Sequence, residues 1–230
     1  MHIPDGFLSP EVAAVTGAIS IGVVGYAVRR SSEQLDERRV PLLGVTTAFI
    51  FAVQMLNFPV AGGTSGHLLG AALAAVLLGP WLACVSMTVV LATQALLFAD
   101  GGISALGANV LNMGILGALL VGWLMTWARA LAPRNRSAFL AVVAGGAWLS
   151  VMVGAAATAV ELAISGTVPL GTVLPAMLGV HALIGVGEAV ITVAAVAAVL
   201  ASRPDLVAIG PRDGTMPAPP AAAPAIPGRA

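Results

Sequence analysis

The chain has no lysine, one cysteine and one tyrosine, and charged residues fill only 9% of its 230 positions. Soluble domains carry about 25% charged residues, so charge this sparse excludes an ordinary globular surface. The lone Cys84 excludes an internal disulfide and any cluster of thiolate metal ligands. A formal net charge of zero removes the electrostatic reason to expect nucleic acid or another polyanion as partner. No Walker A glycine loop is present, so the chain cannot itself fuel transport with a nucleotide. It also lacks a Ser/His/Asp set and a His-Glu-x-x-His pattern, and its eight methionines are too scattered for a Cu(I) thioether ladder. No enzyme is legible. A secretory leader is missing too: Met1 is followed by His2-Ile3-Pro4-Asp5, with no basic n-region and no apolar run before Val12. The expectation is that Met1 is the mature first residue, kept because bulky His2 follows it.

What the chain does have is apolar sequence. Hydrophobic residues make up 59% and the mean hydropathy is +1.00. Uncharged stretches well beyond the roughly 20 residues that span a bilayer recur, which predicts an all-α integral membrane protein. The arginines fix its topology. Arg29, Arg30, Arg38 and Arg39 form one cluster, Arg129, Arg134 and Arg136 a second, and Arg203, Arg212 and Arg229 lie near the C-terminus. With basic loops cytoplasmic, an even number of spans separates successive clusters. Residues 40–128 contain one charge, Asp100, and accommodate four helices; residues 137–202 accommodate two; one more precedes the first cluster.

The result is seven transmembrane helices, about 12–28, 40–57, 65–79, 81–98, 103–128, 138–160 and 173–201. The N-terminus lies outside and the C-terminus in the cytoplasm. Residues 1–11 form a separate N-terminal segment, and residues 203–230 a cytoplasmic Pro/Ala-rich tail expected to be disordered. The third span is the weak one, because 67–79 is too short to cross a 30 Å core at about 1.5 Å per residue; it starts earlier or lies half-buried beneath an inserted loop. Small residues recur every four positions at Ala14, Ala18 and Gly22, and at Gly44, Ala48 and Ala52. These rows suit close helix packing inside the bundle, with a partner-subunit interface as the alternative.

The three histidines, His2, His67 and His181, all fall at or near the outer face of this topology. A histidine at position 2 can chelate a metal through the α-amine, its own deprotonated amide and imidazole Nδ1, three nitrogens in one plane. A fourth nitrogen completes a square-planar site suited to Ni(II), Cu(II) and some Co(II) states, whereas the carboxylate set wanted by Mg²⁺ or Ca²⁺ is missing. By itself Met1-His2 reads more readily as an ordinary exposed terminus. His67, after the glycine-rich run Gly62-Gly63-Thr64-Ser65-Gly66, lies on the same side and is the nearest candidate for the fourth nitrogen. Thr64, Ser65 and Asn57 are candidates for orienting it. His181 and Glu188 share one face of the last helix; they are either path residues near the site or partners in a buried hydrogen bond with Gln54, Gln94, Asn109 or Asn112.

These residues resemble a known family. Met1-His2-Ile3-Pro4-Asp5-Gly6-Phe7-Leu8-Ser9-Pro10 looks like the N-terminus of the CbiM/NikM family, the substrate-binding (S) components of energy-coupling factor transporters for cobalt and nickel. Asn57-Phe58-Pro59 with Gly62 through Gly70 is similar to its second signature. Leu97 through Gly102 with Gly107 through Met113 is similar to the third, and His181 through Glu188 to the fourth. The resemblance covers about residues 1–205. It implies a seven-helix S component with the N-terminal segment plugged into the bundle, the metal held by the Met1 amine, the His2 amide and imidazole, and the His67 imidazole. It implies as partners a membrane coupling (T) subunit, two cytoplasmic ATPases and a small accessory membrane protein. The location implied is the bacterial inner membrane.

The expected function is therefore capture of Co(II) from outside for cobalamin synthesis, as a non-catalytic subunit whose ion is substrate rather than cofactor. Cobalt is preferred over Ni(II) because no fused membrane segment follows the His181 helix. On this reading the ion displaces up to three protons, and Asp5 softens the remaining charge if it points inward. A self-sufficient channel or secondary transporter, and a structural or sensory protein with an incidental His2, are the rival classes.

Overall fold

The computed structural model describes residues 1–32, 35, 39–60 and 65–212. After an irregular segment, α1 (Pro10–Ser32) opens with Pro10 at its first position, where a missing N–H is harmless. It is followed by α2 (Arg39–Gln54), the two-residue strands β1 (Phe58–Pro59) and β2 (Ser65–Gly66), α3 (Ala71–Leu78) and α4 (Pro80–Leu97). One continuous helix then runs from Leu106 to Leu131, made of α5 (Leu106–Asn109), a wide π-helical stretch (Val110–Leu120) and α6 (Val121–Leu131). The hairpin of α7 (Arg136–Ile164) and α8 (Leu170–Ser202) closes the bundle. Asn135 caps α7, its side-chain oxygen accepting the Ala138 N–H at 2.8 Å.

Among the described residues, five helices are long and apolar enough to cross a membrane: α1, α4, the Leu106–Leu131 helix, α7 and α8. The protein is thus a multi-pass membrane protein. α2, with 16 residues, spans about 24 Å. α3 has eight residues, about 12 Å, and every one of them is buried. The short third span of the sequence is therefore a half-helix in the protein interior. Gly70 precedes it at φ 74° and Gly79 ends it at φ 83°, backbone conformations that favour glycine.

The end of the chain departs from the expected tail. Residues 203–212 fold back over the C-terminal end of α3, where the Ile209 N–H donates to the Val76 carbonyl at 2.9 Å. Arg129 donates to the Gly210 carbonyl at 2.7 Å, and Arg212 to that of Ala130 at 2.6 Å. The physical reason is an unpaired helix end: the last carbonyls of a buried half-helix need donors, and Val207 and Ile209 carry the donor segment into apolar surroundings. Residues 213–230, the rest of the predicted tail, lie outside the described residues.

The small-residue rows also differ from the preferred reading. Ala14, Ala18, Gly22, Gly44, Ala48 and Ala52 are exposed, and a Cβ built on Gly22 or Gly44 meets nothing within 4 Å. α1 instead packs through Ser20, whose hydroxyl donates to the Gly107 carbonyl at 2.7 Å.

Candidate metal centre

The first three residues enter the bundle. Met1, His2 and Ile3 are buried, and Asn109 holds them there. Its Oδ1 accepts the Ile3 N–H at 2.8 Å, while its Nδ2 donates to the Ile3 carbonyl at 3.1 Å, pairing with that peptide edge like a neighbouring strand. The Gly102 N–H adds a bond to the same carbonyl at 2.8 Å. Glycine is required at 102, because a Cβ there would sit 2.3 Å from the Asp5 nitrogen. Asp5 itself is exposed and accepts from the Ser104 N–H at 2.7 Å and hydroxyl at 2.6 Å. Those bonds hold its carboxyl below the usual range. It does not face the histidines, and the carboxylate beside His2 is Asp100.

The terminal amine lies against Ser65, donating to its backbone carbonyl and, at 3.2 Å, to its hydroxyl. Burial lowers the amine from 8.0 to about 4, partly offset by Asp100, so at neutral pH it is NH₂. Two hydrogens then serve two Ser65 oxygens, and the lone pair is left over. His2 stacks on His67 with ring centroids 4.6 Å apart and planes 21° from parallel. Its Nε2 is 3.0 Å from Gln94 Oε1; an amide oxygen can only accept, so Nε2 carries the hydrogen and Nδ1 the lone pair. His67 has the opposite tautomer. Its Nδ1 is 2.9 Å from the Leu68 carbonyl and donates to it, leaving the lone pair on Nε2. His2 Nδ1 and His67 Nε2 are both buried without a hydrogen-bond partner. Among the described residues, no hydrogen bond engages the His2 backbone N–H either.

The electrostatics agree with this assignment. Burial, then the adjacent amine, push His2 down to about 3, and burial followed by the amine and His2 push His67 well below its ordinary value. His2 Nδ1 lies 3.3 Å from Asp100 Oδ1, yet a neutral imidazole makes this contact a close approach of two lone pairs rather than an ion pair. Asp100 is raised by burial and lowered by the amine and by Asn57, whose Nδ2 donates to Asp100 Oδ2 at 3.1 Å.

The half-helix α3 is anchored from below. Glu188 of α8 accepts the N–H groups of Leu69 at 2.7 Å and Gly70 at 2.6 Å, and Gln54 donates to the Leu69 carbonyl at 2.7 Å. These bonds fix the turn that presents His67. His181 donates from Nδ1 to the Met177 carbonyl at 2.7 Å; its Nε2 is buried and unpaired, and the Ser65 carbonyl acts on its ring. Thr64 lies outside the described residues.

The structure thus brings Met1, His2, His67 and Ser65 together, places Asn57 one bond removed behind Asp100, and seats Glu188 under the His67 turn. Sequence reasoning missed Gln94, Asp100 and Asn109 as parts of this site. The available signal was that Asp100 is the single charge in residues 40–128. Among the described residues no three His, Cys, Asp or Glu side chains form a metal-ligand group. The nitrogens gathered at this place belong to the main chain as well as to imidazoles.

Comparison with known proteins supplies the family. A fused nickel transport protein of Archaeoglobus fulgidus, itself described as putative, is 44% identical over 209 residues, 90% of this chain and 68% of that protein. A putative metal transport protein of Haloquadratum walsbyi is 42% identical, with 90% of this chain and 93% of the relative covered. A putative cobalt transport protein of Methanococcus voltae is 42% identical over 54% of this chain and 57% of its own length. The crystal structure of a truncated transition metal transporter superposes with a TM-score of 0.81 at 37% identity, covering 87% of this chain and 99% of the other. Residues 2–206 match the family model described as the cobalt uptake substrate-specific transmembrane region. The chain accordingly belongs to the CbiM family of cobalt and nickel transport proteins.

Proposed function

We propose that the chain is the ion-capturing subunit of an importer driven by ATP hydrolysis in partner chains, taking Co(II) from outside the cell for cobalamin synthesis. The carrying observation is the convergence of three nitrogens whose hydrogens are all turned away: the Met1 amine toward Ser65, His2 Nε2 toward Gln94 and His67 Nδ1 toward Leu68. With the His2 amide deprotonated, four nitrogens face one ion, the Met1 amine, the His2 amide and Nδ1, and His67 Nε2. A dication on one amidate carries about one net positive charge, which a bundle interior tolerates better than two.

In this reading seven helical segments build the membrane domain, with the N-terminus outside, the C-terminus cytoplasmic and α3 sheltered beneath the site. Exposed small residues on α1 and α2 offer a face to a membrane coupling subunit; two cytoplasmic ATPases and a small accessory membrane protein complete the machine. The coordination favours a second reading of the cargo, because a four-nitrogen set binds Ni(II) more tightly than Co(II), and a relative of 44% identity is named for nickel. Competition between the two ions at equal activity decides between them.

The test compares ion binding by the native chain with a variant carrying one residue inserted between Met1 and His2. Stoichiometric binding that is lost on insertion, and lost again in His67→Ala, supports the terminal chelate. Equal binding in all three proteins would place the site elsewhere. Uptake by this chain alone in ATP-free liposomes would overturn the partner-driven mechanism while leaving the chelate intact.

A further inference from the structure

The turn between α4 and α5 is under backbone strain at one point. Ala99 has φ 53°, the one positive φ at a non-glycine among the described residues, and Gly101 follows at 91°. Strain of this kind persists where surrounding contacts fix it, and it clusters at ligand clamps. Several of the surrounding contacts concern Asp100. Its N–H donates to the Gln94 carbonyl at 3.1 Å, and the side chain of the same Gln94 holds His2 Nε2 at 3.0 Å. One residue thus sets the relative position of Asp100 and His2. Asn57 occupies Asp100 Oδ2 at 3.1 Å, which leaves Oδ1 directed at His2 Nδ1, 3.3 Å away.

Gln94 Oε1 takes the hydrogen of His2 Nε2 and Asn57 takes Asp100 Oδ2, so the His2 Nδ1 lone pair and Asp100 Oδ1 face each other across 3.3 Å. Two lone pairs facing each other are unfavourable until a cation joins them. First-row ions bond nitrogen and oxygen at about 2.0–2.1 Å, so neighbouring donors on one ion lie about 2.9 Å apart; a 3.3 Å separation is open by a few tenths of an ångström. The Asp100 side chain is 15% exposed against 3% for His2, so the carboxylate is the outer of the two. The other acids near the bundle interior are already engaged: Asp5 by Ser104, Glu161 by Asn112 at 2.6 Å, and Glu188 by Leu69 and Gly70.

We propose that Asp100 receives the incoming dication at the outer rim of the terminal chelate and stays beside it as the counter-charge that makes the loaded site neutral. The charges balance: two positive on the ion, one negative on the His2 amide, one negative on Asp100. The inference rests on the reading of Met1, His2 and His67 as the ion's ligands. It assigns Asp100 a separate part, speed and charge rather than the nitrogen geometry, and Asn57 the part of aiming it.

Stopped-flow binding of Ni(II) to the full-length chain in detergent tests this, following the visible absorption of the nitrogen chelate in native, Asp100→Asn and Asp100→Glu proteins. Asp100→Asn is expected to bind one ion with the native absorption band, but about tenfold or more slowly at low ionic strength. The deficit is expected to shrink in about 1 M salt, where screening acts within about 3 Å, and Asp100→Glu to recover much of the rate. Asp100→Asn matching native in rate and affinity would overturn the proposal, as would a deficit equal at both salt concentrations, which marks a merely structural loss. Should that variant fail to fold, Asn57→Ala reads the same effect more weakly, by releasing the carboxylate from its aim; unchanged kinetics there would count against the proposal. A native chain that gives no one-to-one chelate band defeats the ligand reading itself, and is distinguished by failing before any variant is compared.

Discussion

At the scale of single residues, the site depends on small or polar groups that let a chain terminus lie inside a membrane bundle. Gly102 is the sharpest case. Gly102→Ala places a methyl 2.3 Å from the Asp5 nitrogen and 2.6 Å from its Oδ1, with no flexible side chain end to absorb the clash. The terminal segment must lift, so ion affinity is expected to fall at least about tenfold while the thermal midpoint of the bundle changes little; equilibrium dialysis beside a melting curve checks both. Asn109→Ala leaves the buried Ile3 N–H without its acceptor and takes one of two donors from the Ile3 carbonyl, which keeps the Gly102 N–H. Unsatisfied buried groups cost about 1–3 kcal/mol each, and here that energy is withdrawn from docking rather than from the helices. The expected signature is faster amide exchange at Ile3 with α7 and α8 unaffected. His2 and His67 were legible in the sequence because chelation by an N-terminal histidine is local chemistry, set by bonds inside two residues. Their tautomers were not legible, since Gln94 lies 92 positions from His2. The place of Asp100 beside His2 was not legible either, because a lone acid between two apolar runs looks the same whether it faces water or an ion.

At the scale of elements, most helices could be placed from length, proline and glycine alone: Pro10 and Pro80 open α1 and α4, and Gly79 closes α3. The π-helical stretch Val110–Leu120 could not, because an all-apolar run carries no period by which to tell one helical winding from another. Nor was the docking of residues 203–212 apparent, as two apolar residues among Pro, Asp and Arg look like linker. The half-helix α3 shows how an element too short to cross a membrane is kept there. The N–H groups of Leu69 and Gly70, on the turn that leads into it, point at a carboxylate, and charge-assisted bonds of this kind are roughly twice as strong as neutral ones. Glu188→Gln replaces one accepting oxygen by a donor that faces an N–H, so the expected result is a fall in thermal midpoint together with weaker ion binding through a displaced His67. Glu188→Ala is expected to behave in the same direction and more severely. Normal ion affinity in either variant would separate the α3 turn from the site.

At the scale of the whole molecule, the protein behaves as a bundle and a plug, and the plug's docking is linked to protons. Outside the bundle the amine has its ordinary value of 8.0, and docked it is held at about 4. The docked form therefore binds fewer protons between those values, so lowering the pH favours the undocked form. Docking is strongest above about pH 8 and weakens progressively toward pH 4, with His2, lowered from 6.5 to about 3, adding to the slope below about pH 6.5. While the plug stays docked, amine and imidazoles are already neutral. An arriving ion is then expected to release about one proton, from the His2 amide, the low end of the up to three expected from the sequence. Calorimetry at pH 8 in buffers of different ionisation heat is expected to report that single proton. Amide-exchange protection at Ile3 and Gly102, corrected for intrinsic rate, is expected to decline from pH 8 to pH 5 without ion and to hold steady with it, because a bound ion competes with protons for the same lone pairs. Protection that is flat across this range in the ion-free protein would mean that the terminus docks with its proton, and that the ion must expel it from inside the membrane.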